Sequence, residues 1–355
     1  MNGWALAPIQ VSRATSMHRL RQYALVWFLF FLASSGLGYA ALKRYDPRRI
    51  DGLSDTAGYY QLVISNPRSL GRENMRGRLL VPFIAKPVYL VARNYLKSID
   101  PVLFGLLFAN SCFCALTATI LVSVGKRILA DQAVALLGAA LYLLSFAIPN
   151  FYVAGMVDSS EACLMAALTW LLLADEWRWL PLLGLVGALA KETFLPLGAI
   201  FALGWLFAAG FRQSVRQTRL GWVLIFILAG SIGSTVLYSV LAGSLVWPWQ
   251  VAVHLYVSDN FARALLKILI TPGFWYFFAW LCPFGIWKLR SLPRPWLVAA
   301  AMGTVAALLM GAWRDVGANA ARPIFNVVGP LLSLSVAILI AQTSETLVKK
   351  RESVS

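Results

Sequence analysis

Charged side chains are scarce in this 355-residue chain: Asp, Glu, Lys and Arg together make up 13%, where a soluble globular domain carries about 25%. Its length alone would call for two or three soluble domains, but the chain lacks the polar groups to cover them. Histidine is nearly missing, and His18 and His254 stand in no metal-ligand spacing. The four cysteines, Cys112, Cys114, Cys163 and Cys282, lie inside apolar runs, which supports neither a disulfide framework nor a zinc ribbon. There is no Gly-x-Ser-x-Gly elbow, no P-loop and no dinucleotide fingerprint.

Apolar residues are abundant, at 59%, and the mean hydropathy is +0.70. A spanning helix needs about 20 mostly apolar residues. Stretches of that kind run over 22–42, 101–124, 131–149, 160–174, 220–242, 269–287, 295–312 and 323–341. Arg13, Arg19 and Arg21 precede the first, which places the N-terminus in the cytoplasm. Gly38-Tyr39-Ala40 resembles a signal cleavage site, but the apolar stretch exceeds the usual 7–15 residues of a signal, so a retained anchor is expected. The stretch 179–210 is too long for one untilted span and is interrupted by Lys191-Glu192. Read as two short helices turning there, it returns Lys126-Arg127, Arg178, Arg212/Arg216/Arg219, Lys288/Arg290/Arg294 and Lys349-Lys350-Arg351 to the cytoplasm. The expectation is an all-α, polytopic membrane bundle of about ten membrane segments, most simply in a bacterial inner membrane with both termini cytoplasmic. Residues 1–21 and 342–355 form its cytoplasmic tails, 22–341 the membrane domain and 43–100 the first outer loop.

The net charge of +16 has to be housed on this frame. The cytoplasmic clusters hold 15 of the 31 basic residues, and most of the remaining excess lies in segment 43–97, with eleven basic against four acidic residues. Over 78–97, Arg78, Lys86, Arg93 and Lys97 fall within one stripe at helical spacing. That predicts an amphipathic helix at the outer interface, bent at Pro87. Two roles are open for it, an anchor on anionic lipid and a phosphate-binding rim over a membrane cavity. Nucleic acid is not an expected partner, because the basic groups flank apolar spans.

Ionisable groups at membrane depth are costly and mark functional sites. Asp51 and Asp55 stand four residues apart in the first loop and share a face if helical; alternatively Ser54 or Asp55 caps a helix from Thr56. Asp158, in the run Asn150 to Glu161, either caps the next helix or faces a cavity. Lys191-Glu192 is either an internal ion pair or a hinge presenting Glu192. Arg314-Asp315 and Arg322 lie at the start of the last span. The aromatics around Trp247 and from Phe274 to Trp280 are expected to pack or to line the interface.

In order and approximate spacing these features resemble the GT-C superfamily of integral-membrane glycosyltransferases over about residues 45–335. The resemblance rests on Asp55-Thr-Ala-Gly-Tyr59, Arg78-Leu-Leu-Val-Pro82, Asp158, the Lys191-Glu192 helix break, and Arg322 ahead of Pro330. No Asp-x-Asp or Glu-x-Asp occurs in the first loop. The resemblance implies transfer of a sugar from a polyprenyl-phosphate donor to a lipid, glycan or protein acceptor on the non-cytoplasmic face. Asp55, or else Asp51, would be the general base. Arg78 and Arg322 would hold phosphate, Asp158 and Glu192 would position substrate or a divalent metal, and Arg76, Tyr59 and Lys191 would contact substrate. The competing functions are a transporter or flippase of a lipid-linked or anionic solute, a surface-polysaccharide polymerase, and a non-catalytic scaffold. The transporter reading predicts a second broken helix related by repeat symmetry, and the sequence has only the break near 191.

Overall fold

A computed structural model describes residues 13–42, 54–65, 77–153, 155–247, 250 and 257–352, and no strand occurs among them. The helices are α1 (Arg13–Ala41), α2 (Ser54–Ile64), α3 (Leu80–Tyr95), α4 (Pro101–Leu129), α5 (Gln132–Leu143), α6 (Asp158–Ala174) and α7 (Leu180–Gly187). They continue with α8 (Phe194–Ala208), α9 (Gln213–Ala242), α10 (Phe261–Ile270), α11 (Pro272–Tyr276), α12 (Leu281–Gly285), α13 (Arg294–Trp313) and α14 (Ala321–Glu352). Five stretches are long and apolar enough to cross a membrane: 20–41, 101–129, 213–242, 294–313 and 317–348. α5 and α8 are apolar but shorter.

Two expected spans are not single helices. Over 131–149, α5 stops at Leu143 and a turn leads into a π-helical segment, Ile148–Tyr152. Over 269–287 the chain breaks into α10, α11, α12 and a 3-10 segment, Ile286–Ser291. Pro272 and Pro283 explain the second case, because each removes a backbone donor from a would-be continuous helix.

Stretch 179–210 is a hairpin, as its midpoint charges suggested. α7 and α8 are separated by residues 188–193, and the entry and exit of the pair meet, with the Trp177 and Phe211 rings 6.3 Å apart. Arg219 of α9 closes this junction, its guanidinium 3.5 Å from the Phe211 ring centre and 2.6 Å from Asp175. Along α9, Gly184 lies against Phe226, Gly233 against Ala188, and Tyr238 against Gly77. The hairpin turn is therefore at the opposite end of the bundle from Arg219.

The same contacts give the bundle two unlike ends. α4 and α6 run side by side in one direction, since Ser159 donates to Asn110 at 2.5 Å and Cys163 lies near Cys114 further along. α13 runs antiparallel to α14, with Gly303 against Val327 and Gly311 against Ala320. Lys126, Arg127, Arg178, Arg219 and Arg294 thus gather toward one end, while α2, α3, the hairpin turn and the start of α14 gather at the other. At that second end Tyr59, Leu62, Val81, Ala85, Leu106 and Met156 form a satellite core. Asp100 caps α4 through Val102 and Leu103 and accepts from the Tyr60 hydroxyl at 2.8 Å, tying α2 to α4.

Helix pairs approach closely where glycines leave room. A Cβ on Gly184 would stand 2.6 Å from the Phe226 carbonyl oxygen, whereas one on Gly221 would meet nothing within 4 Å. Gly184→Ala is therefore expected to lower stability by about 1–3 kcal/mol through overpacking. Gly221→Ala is expected to leave it unchanged or raise it by up to ~1 kcal/mol, because alanine is the better helix former. Thermal unfolding of the two variants in detergent checks the contrast, and equal shifts would contradict the packing.

Candidate functional site

Asp55 sits in the first turn of α2, and Tyr59 follows one turn later on the same face. Tyr59 is buried, and its hydroxyl accepts from Arg78 Nη1 at 2.6 Å. Burial pushes the Tyr59 phenol above its ordinary value, so the neutral form persists beside Arg78. Arg78 does not belong to the stripe of α3 as expected. It lies in the turn before Leu80, and its side chain is directed inward to Glu192. Lys86 and Arg93 do stay exposed on α3, and Pro87 lies inside that helix without ending it.

The hairpin turn supplies the opposing charges. Glu192 takes a bidentate grip from Arg78, at 2.9 Å from Nε and 2.5 Å from Nη2. The Leu80 N–H donates to the Leu189 carbonyl at 2.9 Å, a backbone stitch that sets the register of this contact. Lys191 does not pair with its neighbour. It reaches Asp158 at 2.6 Å and Glu161 at 3.3 Å. Asp158 is the first residue of α6 and makes no capping bond; its second oxygen lies 3.6 Å from Arg322. Arg314, at the end of α13, lies 3.6 Å from Glu192.

Behind this layer runs a buried polar chain. Glu161 accepts from Thr193 at 2.5 Å and from Asn326 at 2.9 Å, and the Tyr152 hydroxyl donates to the Asn326 side-chain oxygen at 2.5 Å. The same hydroxyl is 3.2 Å from the Arg322 carbonyl. The chain links the surroundings of Lys191 to those of Arg322 through α6 and α14.

These groups surround one cavity of about 210 Å³. Asp55, Arg78, Lys191, Glu192, Arg314 and Arg322 line its polar side, and Leu197, Met310 and Pro323 are among its apolar residues. Asp158 and Tyr59 stand behind the wall and act through Lys191, Arg322 and Arg78. Asp51 and Arg76, the remaining sequence candidates, lie outside the described residues. Glu161, Thr193, Tyr152 and Asn326 were not singled out as site residues. Two signals pointed to them: the three-residue spacing of Asp158 and Glu161, and an Asn inside the apolar run 323–341.

The cations differ in how committed they are. Arg78 uses Nε, Nη1 and Nη2 on Glu192 and Tyr59. Arg322 stacks over Phe151 at 5.0 Å, and its buried Nε has no hydrogen-bond partner. Arg314 and Arg322 make only the 3.6 Å ion pairs, leaving donors for a ligand. Among the described residues no three His, Cys, Asp or Glu are grouped to hold a metal ion. The chain matches no model of a known protein family, and a search of curated proteins also finds no match.

Removing one partner of the Arg78–Glu192 pair leaves a charge in a largely enclosed place. Arg78→Ala is expected to cost about 3–5 kcal/mol, toward the lower figure because Arg314 can partly compensate. The double variant Arg78→Ala/Glu192→Ala should cost less than the sum of the two single changes. Unfolding midpoints of all four proteins measure the coupling, and simple additivity would contradict the pairing.

Proposed function

We propose that the chain is an integral-membrane glycosyltransferase of GT-C type that moves a sugar from a polyprenyl-phosphate donor to an acceptor. The observation that carries this reading is the convergence of Asp55, Arg78, Lys191, Glu192 and Arg322, from four separate stretches of sequence, on one cavity at the end of an apolar bundle. A lipid-linked donor has to be met beside the bilayer, and the cavity lies next to the amphipathic α3. Four cations around it suit a phosphate.

In this reading the Asp55 carboxylate takes the proton of the acceptor hydroxyl as that oxygen bonds to the anomeric carbon. The bond from that carbon to the phosphate oxygen breaks, and its electron pair leaves with the polyprenyl phosphate. The leaving group needs no general acid. Arg322 and Arg314 stabilise the departing phosphate with their spare donors. Arg78 and Asp158 act as positioning residues, holding Glu192, Lys191 and Arg322. The basic end faces the cytoplasm under the positive-inside rule, and the cavity opens on the other side. The α7–α8 hairpin and the broken segments complete a set of about ten membrane segments.

Purified protein in vesicles, given a panel of labelled polyprenyl-phosphate monosaccharides and a lipid extract as acceptor, tests this. Transfer should be detected and should fall by roughly 10²–10⁴-fold in Asp55→Asn, with unfolding temperature unchanged. Full transfer by folded Asp55→Asn protein would remove Asp55 from the role. Movement of label across the bilayer without covalent transfer would point to a transporter instead.

A further inference from the structure

A second amphipathic helix stands at the cavity end, where the sequence suggested only the approach to a span. Helix α10 reads Phe-Ala-Arg-Ala-Leu-Leu-Lys-Ile-Leu-Ile from Phe261 to Ile270 and presents three faces. Ala264 and Ile268 are buried, and Ile268 packs toward Gly311 of α13. Arg263 and Lys267, one turn apart, form an exposed cationic face. Leu266 and Ile270 lie about 100° or less from those cations and are 58% and 67% exposed.

α3 is divided in the same way. Val81, Ala85 and Ala92 face the bundle, Lys86 and Arg93 are exposed, and Phe83, Leu90 and Val91 are exposed beside them. Among the described residues Lys86, Arg93 and Arg263 have no acidic partner within ion-pair distance. Lys267 keeps one, Asp315, at 3.1 Å. That bond ties α10 to the strap 314–320, whose Arg314 and Asn319 line the cavity. The strap is tightly bent, with φ of +46° at Asp315 and +56° at Gly317.

We propose that α10, together with α3, is a footing on the membrane leaflet at the cavity end, and that Arg263 and Lys267 bind the headgroups of anionic phospholipid there. A helix with one face on protein, one apolar face exposed and a cationic face between them matches a bilayer boundary. The apolar side chains enter the acyl region while the cations meet phosphate. The five apolar spans put that boundary at the level where α3 and α10 lie. The lipid thereby sets the height of α10 and, through Lys267 and Asp315, of the strap beside the cavity. This surface does not depend on any transfer reaction.

The test uses the full chain with Ile270→Cys carrying a nitroxide, in phosphatidylcholine vesicles with and without phosphatidylglycerol. The parent protein treated alike supplies the background from the half-buried Cys112 and Cys282. Oxygen should relax the label more strongly than a water-soluble nickel chelate, and phosphatidylglycerol should raise that oxygen-to-nickel ratio. Arg263→Gln/Lys267→Gln, at two exposed positions, should keep the burial in lipid and lose the response to phosphatidylglycerol. Nickel dominance in both vesicles would overturn the footing, and an undiminished response in the double variant would overturn anionic-lipid binding. A label at Leu266→Cys repeats the measurement should the first variant fold poorly.

Discussion

The bidentate contact between Arg78 and Glu192 is the interaction on which the cavity end depends. Each charge is largely removed from water, and neither could remain ionised there alone without a large desolvation cost. The pair joins two pieces of chain separated by more than a hundred residues. One is the turn between α2 and α3; the other is the turn of the α7–α8 hairpin. With the adjacent backbone bond from Leu80 to Leu189, it fixes where the amphipathic α3 meets the bundle. The satellite core of Tyr59, Val81 and Leu106 packs around this junction, so polar and apolar contacts specify the same arrangement.

The hairpin places two charges of opposite sign at its turn and directs them to different partners. Lys191 turns toward Asp158 and Glu161, and Glu192 toward Arg78 and Arg314. Short helices with an irregular turn are tolerated in an apolar bundle where protein surrounds the turn. α9 provides that cover, with Gly184, Gly230 and Gly233 among the points where backbones come close. The small residues of the hairpin and the charges at its tip thus serve one purpose, a rigid platform beneath the cavity.

Much of this was legible from sequence because expensive residues announce themselves in an apolar chain. Asp55, Lys191, Glu192 and Arg322 stood out against their surroundings, and all four line the cavity. The hairpin was legible from charge placement. What escaped notice had weaker contrast. Asn326 and Tyr152 are polar but uncharged, and their partners are far away in sequence, so no local pattern marks them. α10 was merged into a span because its Leu and Ile content matches one, and only the breaks at Pro272 and Pro283 separate it. The pairing of charges was also hidden. Adjacent Lys191 and Glu192 invite an internal pair, whereas the turn geometry sends them apart.

Pairing also constrains what the cavity can hold. Among the described groups, the cations Arg78, Lys191, Arg314 and Arg322 face the carboxylates Asp55, Asp158, Glu161 and Glu192. Such a balanced set has little surplus charge to hold a multivalent anion by attraction alone. It can hold a singly charged group through directed donors, and Arg314 and Arg322 are the two guanidiniums with donors to spare. A phosphodiester carries one negative charge and a phosphomonoester carries nearly two near neutral pH. On the proposed reaction, donor and lipid product differ in that way. A cavity balanced to accept the first holds the second less well, because the added charge meets Asp158 and Glu192 without a further cation to offset it. The internal ion pairs would then do more than make buried charges tolerable: they would favour binding of the sugar-bearing lipid over retention of the lipid it becomes.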